Sequence, residues 1–297
     1  MYALRRHLAA APRQPRVQHD AGVPFTLDLS GRVPIAVRRF GAVAAETAIV
    51  IAPATGVPQG LYRAFAAWAA AKGVAAYTFD YRGVAASRPA RLRGFKAGFA
   101  DWADDIDAVI AHTLPQHARV SLIGHSIGGF LAPAAAHAPR LHRLVLVGAQ
   151  TAYWRDWPTS RRWPMVALWH GLMPALTLAA GYFPGRALRL GEDLPRGVAL
   201  QWASRPWRDP LTHASTAALQ QRYARALPPV LLGAASDDAF ATPAALDRVA
   251  AQLHAPLTRE CWAPASIGHV KLGHFDVFRP RAAALWPRWL AFMQEGT

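Results

Sequence analysis

Short apolar runs alternate with helical patterns through the first half of this chain, and that alternation most limits the folds open to it. Apolar runs typical of buried strands cover residues 47–52, 74–79 and 120–123. Residues 59–72 and 99–113 lie between these runs and carry apolar side chains at helical spacing. Strands and helices in this order predict a parallel sheet with right-handed crossovers.

The same pattern resumes further along the chain. Later strands are predicted at residues 143–148, 229–233 and 257–263, and later helices at residues 127–137, 243–253 and 281–293. Residues 23–29 and 33–39 flank Ser30 and Gly31, which predicts an antiparallel hairpin at the sheet edge.

One long interruption divides the pattern. Residues 151–226 hold six of the eleven tryptophans and many prolines, and they show no strand rhythm. We therefore expect an α/β core formed by residues 21–150 and 227–297, split by a mostly helical insertion. Residues 1–20 are expected to form a loose N-terminal tail.

A Gly-x-Ser-x-Gly motif lies at residues 124–128, between a predicted strand and a predicted helix, and Gly129 follows it. In that context Ser126 sits on a strained turn that directs its hydroxyl away from the sheet. The glycines let the strand and the helix approach closely, and the helix N-terminus presents N–H groups to a developing oxyanion. The motif therefore predicts a catalytic nucleophile at Ser126.

A serine nucleophile needs a histidine base and a carboxylate that orients the base. The fold that carries this motif places the acid after the serine and the histidine after the acid. Asp237 and Asp238 follow the strand at residues 229–233, and His269 and His274 precede the last helix. His274 is the preferred base because it lies nearest to that helix, which leaves His269 as a solvated loop residue.

With these residues the chain resembles the α/β-hydrolase superfamily, in particular bacterial serine hydrolases of the serine-aminopeptidase and monoacylglycerol-lipase-like group. The resemblance covers about residues 47–148 and 229–293. The Phe-Asp-Tyr-Arg-Gly sequence at residues 79–83 is similar to the D-x-R-G turn that follows the fourth strand in this group. Ala85 stands where the group normally has glycine, and Ser87 is kept. The resemblance implies an α/β-hydrolase fold, a mostly parallel sheet flanked by helices with a helical lid insertion.

Related sequences often carry D-x-hydrophobic-x-x-P after the catalytic acid. Asp238 is followed by Ala-Phe-Ala-Thr-Pro, so the resemblance favours Asp238 as the acid and leaves Asp237 as a loop or capping residue. The resemblance also makes residues 151–226 a lid over the serine. Candidates to line an apolar acyl pocket are Trp154, Trp157, Trp163, Trp169 and Met173. The alternative is that these side chains simply pack the lid onto the core.

The oxyanion hole departs from the pattern of the group. Many relatives have His-Gly after the third strand, whereas this chain reads Pro-Ala-Thr-Gly at residues 53–56. One donor is expected to be the backbone N–H of Ile127. The second is expected to be the backbone N–H of Thr55, with that of Ala54 as the less favoured alternative.

The formal net charge of +15 first suggests nucleic acid or an anionic membrane as a partner. Only three of the 33 Lys and Arg residues are lysines, and the arginines are scattered, with no run of five basic residues. An Arg- and Ala-rich coding bias explains this charge, and a basic face for acidic partners is the alternative. We therefore expect no nucleic-acid partner.

The sequence predicts neither a metal nor a cofactor. Its histidines lack the spacing of zinc motifs, and no glycine-rich phosphate loop follows the first strands.

Residues 163–185 contain no Asp, Glu, Lys or Arg and are long enough to span a bilayer. Three prolines, a histidine and a glycine interrupt them, which favours two short amphipathic helices over a membrane span. A single cysteine, Cys261, allows no intramolecular disulfide, and the first residues lack the apolar region of a signal peptide. We therefore expect a cytoplasmic protein.

The predicted function is hydrolysis of a carboxylic ester, or less favourably an amide or thioester, through an acyl-enzyme. The expected partner is a small-molecule substrate with an apolar acyl group. The same triad would also serve an acyltransferase, and a non-catalytic binding protein of this fold is the third hypothesis. The sequence leaves the physiological substrate and the oligomeric state open.

Overall fold

A computed structural model of the chain describes residues 21–29, 33–204 and 217–296. The predicted tail at residues 1–20 and the central residues of the predicted hairpin turn lie outside these ranges. So does Trp207, one of the tryptophans of the insertion.

The strands of the described chain are β1 (Val23–Leu27), β2 (Ile35–Phe40), β3 (Thr47–Ala52), β4 (Ala75–Phe79), β5 (Arg119–His125), β6 (Leu144–Val147), β7 (Tyr182–Phe183), β8 (Leu194–Pro195), β9 (Val230–Ala235) and β10 (Leu257–Trp262). Within the described ranges, eight of them form one sheet in the order β1-β2-β4-β3-β5-β6-β9-β10. The strands from β4 to β10 in that order run parallel, and β1 and β2 add an antiparallel hairpin at the edge. The predicted sheet and hairpin are confirmed.

The α-helices of the described chain are α1 (Arg63–Ala71), α2 (Phe99–Thr113), α3 (Ile127–Leu131), α4 (Thr159–Val166), α5 (Met173–Ala180), α6 (Arg196–Ser204), α7 (Ala217–Tyr223), α8 (Pro243–Ala250) and α9 (Trp286–Gln294). Two predicted helices are shorter than expected because proline interrupts them. Pro133 cannot donate a helical hydrogen bond, so the chain tightens into a 3₁₀ turn after α3. Pro287 fits only in the first turn of an α-helix, so α9 begins at Trp286 and the preceding residues, Pro280–Leu285, form a 3₁₀ helix.

Helices cover both faces of the sheet. Side chains of α2 and α3, such as Trp102 and Phe130, pack into the core on one face. Side chains of α1 and α9, such as Phe65 and Trp289, fill the core on the other face. Burial on both faces explains why β3 and β4 are entirely buried and mostly apolar.

The interrupting segment, residues 151–226, is not purely helical. Its helices are joined by a π-helical stretch, Ala167–Leu172, and the short strands β7 and β8 pair as an antiparallel ribbon that the sequence did not predict. None of the helices in the described ranges is long and apolar enough to cross a membrane. The apolar stretch noted in the sequence is instead divided among α4, the π-helical stretch, α5 and β7.

A buried ion pair holds the turn that follows β4. The backbone N–H of Arg82 donates to Oδ2 of Asp105 on α2 at 2.9 Å, and Nε donates to Oδ1 at 2.7 Å. Ser87 supports the same turn, since its hydroxyl accepts from the N–H of Ala36 and donates to the carbonyl of Asp80. The turn thereby ties the antiparallel edge of the sheet to α2.

Ala85 adopts a φ of 43° within this turn, the left-handed region that favours glycine. This conformation explains why related sequences place a glycine at the corresponding position. The alanine retains the turn at a cost of about 1–2 kcal/mol of backbone strain.

We expect Asp105→Ala to lower the free energy of unfolding by about 3 kcal/mol, because it removes the fully buried partner of the Arg82 guanidinium and leaves only the part-exposed carboxylate of Asp101, at 3.2 Å, as a counter-charge. The control is Glu46→Ala, which breaks an exposed pair with Arg119 and is expected to cost at most about 1 kcal/mol. Urea denaturation of both variants measures the difference. Similar losses in the two variants would contradict a structural role for the buried pair.

Candidate active site

Ser126 lies on a sharp turn between the end of β5 and the start of α3. Its backbone has φ 55° and ψ −116°, a strained combination for a residue with a side chain. The turn is held at both ends: the N–H of Ser126 donates to the carbonyl of Val147 on β6, and its carbonyl accepts from the N–H of Phe130. This is the local geometry that the Gly-x-Ser-x-Gly motif predicts.

The glycines of the motif are required by close backbone contacts. A Cβ atom on Gly124 would lie 2.6 Å from Cα of Gly129, and one on Gly128 would lie 2.3 Å from the carbonyl oxygen of Ala52. A Cβ on Gly129 would lie 2.8 Å from Cβ of Ala149. The spacing of the motif is therefore a steric requirement of packing α3 against β3 and β5.

His274 and Asp238 form a buried hydrogen-bonded pair. Nδ1 of His274 lies 2.7 Å from Oδ2 of Asp238, and both side chains are almost fully buried. Oδ1 of Asp238 accepts the backbone N–H groups of Phe240 and Ala241 at 2.8 and 3.0 Å. Burial acts to raise the pKa of Asp238, but the His274 ring and these two amides outweigh it and hold the pKa below its usual value. The carboxylate is therefore charged and oriented towards the imidazole.

The neighbouring candidates occupy different positions. Asp237 turns away from the imidazole, and its carboxylate accepts the N–H groups of Leu272 at 3.0 Å and Gly273 at 2.9 Å. The ring of His269 makes no hydrogen bond to the described residues. Geometry thus favours the preferred pair, and it gives Asp237 a specific task as the anchor of the loop that carries His274.

A glycine that the sequence analysis did not single out makes room for this pair. Gly148 directly follows β6 and has a φ of 59°, and a Cβ there would lie 3.1 Å from Cε1 of His274 and 3.2 Å from Oδ2 of Asp238. Its position as the last residue of a predicted strand is the signal that could have revealed it.

Ser126 and His274 share one cavity of about 870 Å³, and Thr55 lies in its lining as well. Most of the remaining lining is apolar, from residues such as Leu61, Trp169, Met173, Phe183, Leu194, Trp202, Phe240 and Phe275. A cavity of this size and character is typical of a small-molecule site.

The five predicted pocket residues divide into two groups. Trp169 and Met173 line the cavity, whereas its lining does not include Trp154, Trp157 or Trp163. Trp157 is fully buried and stacks on the ring of His170 at 5.4 Å. Trp163 is 65% exposed and packs beside Trp154. Two of the five predicted residues therefore line the pocket, and the other three pack elsewhere in the segment or lie at the surface.

Other lining residues were missed because no motif marks them. Phe240 and Phe275 follow Asp238 and His274 closely in sequence, and that closeness could have identified them. Gln150 is also buried in the lining, and its Oε1 accepts the N–H of Ala152. This amide is one of several polar groups in a mostly apolar lining, which also includes the charged residues Arg189, Glu192, Asp276 and Arg279.

The two expected oxyanion donors lie at backbone positions suited to the role. Ile127 begins α3, so its N–H has no acceptor within the helix. The N–H of Ala54 is already used, because it donates to the hydroxyl of Tyr62 at 2.8 Å. Of the two alternatives in the loop after β3, this geometry favours Thr55.

Among the described residues, no group of three or more His, Cys, Asp or Glu side chains is arranged to hold a metal ion.

A family model described as serine aminopeptidase, S33, matches residues 44–205, which is more than half of the chain. The chain belongs to this family. Family membership and the sheet topology make it an α/β hydrolase and support hydrolase activity. No curated protein matches the chain.

Solved structures of other α/β hydrolases are similar over almost the whole chain. A soluble variant of the monoglyceride lipase from Saccharomyces cerevisiae, solved with a substrate analogue, has a TM-score of 0.66 at 14% identity, covering 97% of this chain and 100% of that chain. Mouse α/β hydrolase domain-containing protein 10 has a TM-score of 0.59 at 15% identity, covering 91% and 98%. A hydrolase from Pseudomonas aeruginosa has a TM-score of 0.57 at 20% identity, covering 93% and 100%. At these identities the likeness shows the fold alone.

The geometry distinguishes the two neighbouring acids in a measurable way. We expect Asp238→Asn to lower kcat/KM by about 10⁴-fold, because an amide cannot hold the productive tautomer of His274. Asp237→Asn is the matched control, and it should lose far less because its side chain still offers an acceptor to the loop. Equal losses in these two variants would contradict the assignment of the acid.

The same comparison applies to the two histidines. We expect His274→Ala to abolish most activity, with a loss of about 10⁴-fold or more in kcat/KM. His269→Ala should stay close to the parent protein, because its ring makes no hydrogen bond to the described residues. A larger loss for His269→Ala would reverse the assignment of the base.

Proposed function

We propose that this protein hydrolyses a carboxylic ester, or less favourably an amide or thioester, through an acyl-enzyme on Ser126. The observation that carries the proposal is the Asp238–His274 pair beside a cavity that Ser126 also lines. The similarity to a monoglyceride lipase agrees with an ester substrate.

Hydrogen bonding assigns the tautomer of His274. The Asp238 carboxylate can only accept, so Nδ1 of His274 carries the proton and Nε2 keeps a free lone pair. Nε2 takes the proton of the Ser126 hydroxyl as Oγ attacks the ester carbonyl. The imidazolium that forms is stabilised by the buried carboxylate.

The developing oxyanion would be stabilised by two backbone amides, those of Ile127 and Thr55. Collapse of the tetrahedral intermediate breaks the bond to the alcohol, which leaves with the proton from Nε2 of His274. Water then attacks the acyl-enzyme and gives its proton to the same nitrogen. A second collapse releases the carboxylic acid and restores the proton to Oγ of Ser126.

We also propose that most of residues 151–226 act as a lid that shapes the substrate cavity. Trp169, Met173, Phe183, Leu194 and Trp202 come from this segment and form much of the apolar lining. Ion pairs between described residues fasten the segment to the core, from Asp156 to Arg248 on α8, from Asp193 to Arg88, and from Arg222 on α7 to Asp104 on α2. An apolar wall of this kind suits an apolar acyl group.

The apolar wall also favours a second candidate, transfer of the acyl group to an alcohol or amine in place of water. Exclusion of water from the acyl-enzyme would give such an acceptor an advantage. Product analysis with an added alcohol separates the two functions. A new ester that forms faster than free acid would identify an acyltransferase.

A fluorophosphonate probe tests the nucleophile directly. We expect the probe to label the parent protein and not Ser126→Ala, and we expect this substitution to lower ester hydrolysis by about 10⁴-fold or more. Measuring the hydrolysis of p-nitrophenyl esters beside that of aminopeptidase substrates identifies the substrate class. Labelling that persists in Ser126→Ala would remove Ser126 from the mechanism.

The apolar cavity predicts that kcat/KM rises with acyl chain length. Each buried methylene contributes about 0.8 kcal/mol, so four more methylenes between acetate and hexanoate set a ceiling of about 3 kcal/mol. Incomplete burial should reduce the gain to about 1–2 kcal/mol, or roughly 5- to 30-fold. The measurement is kcat/KM for acetate, butyrate and hexanoate esters of one alcohol.

Two tryptophans of the proposed lid, residues 151–226, provide a test variant and its control. Trp169→Ala should flatten this profile because Trp169 lines the cavity, whereas Trp163→Ala should leave it unchanged because Trp163 is exposed outside the lining. A flat profile in the parent protein, or one that falls from acetate onward, would refute the apolar acyl pocket while leaving the triad intact.

A further inference from the structure

A buried chain of hydrogen bonds joins the loop of His274 to the loop that carries Thr55. The N–H of Ala54 donates to Oη of Tyr62 at 2.8 Å. Oη of Tyr62 lies 2.9 Å from Nδ1 of His125, and Nε2 of His125 lies 2.9 Å from the carbonyl oxygen of His274. Tyr62 and His125 are completely buried.

Only one arrangement of protons satisfies every member of this chain. The carbonyl of His274 can only accept, so Nε2 of His125 carries a proton. Burial, with a smaller contribution from the neighbouring His274 ring, lowers the pKa of His125 to about 3, so the ring is neutral and Nδ1 has a lone pair. Tyr62 therefore donates its hydroxyl proton to Nδ1 and accepts the N–H of Ala54.

Each end of the chain reaches a different part of the proposed machinery. One end holds the backbone of His274, the proposed base. The other end holds Ala54, whose neighbour Thr55 is the proposed second oxyanion donor. The residue at the centre, His125, immediately precedes Ser126 at the end of β5.

The imidazole of His125 does not line the cavity, so we expect it to make no contact with a bound substrate. Aromatic rings surround it: Phe278 at 4.9 Å, Phe275 at 5.8 Å and Tyr62 at 5.8 Å between ring centres. An apolar residue of similar size would fill the same space, so the two hydrogen bonds of the ring are what distinguish a histidine at this position. Any function of His125 therefore depends on those two bonds.

We propose that His125 is a positioning residue that fixes the His274 loop and the Thr55 loop relative to Ser126 through Tyr62. The proposal rests on the acyl-enzyme mechanism proposed above. It assigns a role to the variable residue between the first glycine and the serine of the Gly-x-Ser-x-Gly motif.

The test compares His125→Leu, Tyr62→Phe and the double variant, using kcat and KM for a p-nitrophenyl butyrate substrate. Displacement of catalytic groups by a fraction of an ångström to an ångström is expected to lower kcat by about 10- to 100-fold. KM should change little, because neither side chain touches substrate. Since both substitutions cut the same chain, the double variant should lose no more than the worse single variant.

The chain contains a matched control away from the cavity. Oη of Tyr77 lies 2.8 Å from Nε2 of His117, whose Nδ1 lies 2.6 Å from the carbonyl oxygen of Ala45. This is the same Tyr–His–carbonyl arrangement in a buried setting. Tyr77→Phe and His117→Leu should lower thermal stability and leave kcat unchanged, which separates positioning from a general loss of stability.

Two further variants keep the test decisive if His125→Leu does not fold. His125→Gln retains a donor near the position of Nε2, and His125→Asn retains an acceptor near the position of Nδ1, so each breaks the chain at a different bond. Both should lower kcat per active site titrated with the fluorophosphonate. Parent-like kcat in His125→Leu or in either of these variants, or losses that multiply in the double variant, would overturn the proposal.

The outcome for Ser126→Ala is independent of this result. If Ser126→Ala is inactive while the His125 variants match the parent protein, only the positioning role fails. If Ser126→Ala remains active, the acyl-enzyme mechanism itself fails.

Discussion

The close approach of three backbones determines where the proposed nucleophile lies. β3, β5 and α3 meet at glycines on which a methyl group would overlap a carbonyl oxygen or another Cα atom. Because backbone packs directly on backbone there, the turn at Ser126 has little freedom to move. The loops carrying Thr55 and His274 reach the same cavity as this turn. The site therefore depends on the spacing of the sheet strands as well as on local loop structure.

Two neighbouring imidazoles take different roles because their surroundings differ. The rings of His125 and His274 lie 5.0 Å apart. His125 is enclosed completely, and this burial lowers its pKa and favours its neutral form, in which the ring hydrogen-bonds to a carbonyl and a phenol. His274 faces the charged carboxylate of Asp238 and lies at the cavity, where proton transfer is useful. Environment, more than residue type, thus separates a structural histidine from a proposed catalytic base.

The sequence predicted the parts of the molecule that local physics determines. Continuous apolar runs located β3 and β9 to within one or two residues, because both faces of those strands are buried. The motif around Ser126 and the chain order of acid and histidine located the candidate triad, because steric and chemical rules restrict those residue types, and the resemblance to related sequences favoured Asp238 over Asp237.

Other features depend on contacts between distant parts of the chain. Trp157 and Trp163 are similar in sequence context, yet one is buried against His170 and the other is exposed. The ribbon of β7 and β8 is too short to leave a periodic signal. The contacts of His125 span 63 residues to Tyr62 and 149 residues to His274, so only the folded structure reveals them.

The backbone of Ser126 implies a compromise between activity and stability. Its φ of 55° and ψ of −116° belong to a region that glycine enters with little penalty and that costs other residues about 1–3 kcal/mol. A glycine here would relieve that strain and also remove the hydroxyl on which the proposed reaction depends. The rest of the fold has to offset this local cost for as long as the serine is retained, as in proteins that keep a strained active site at the expense of stability.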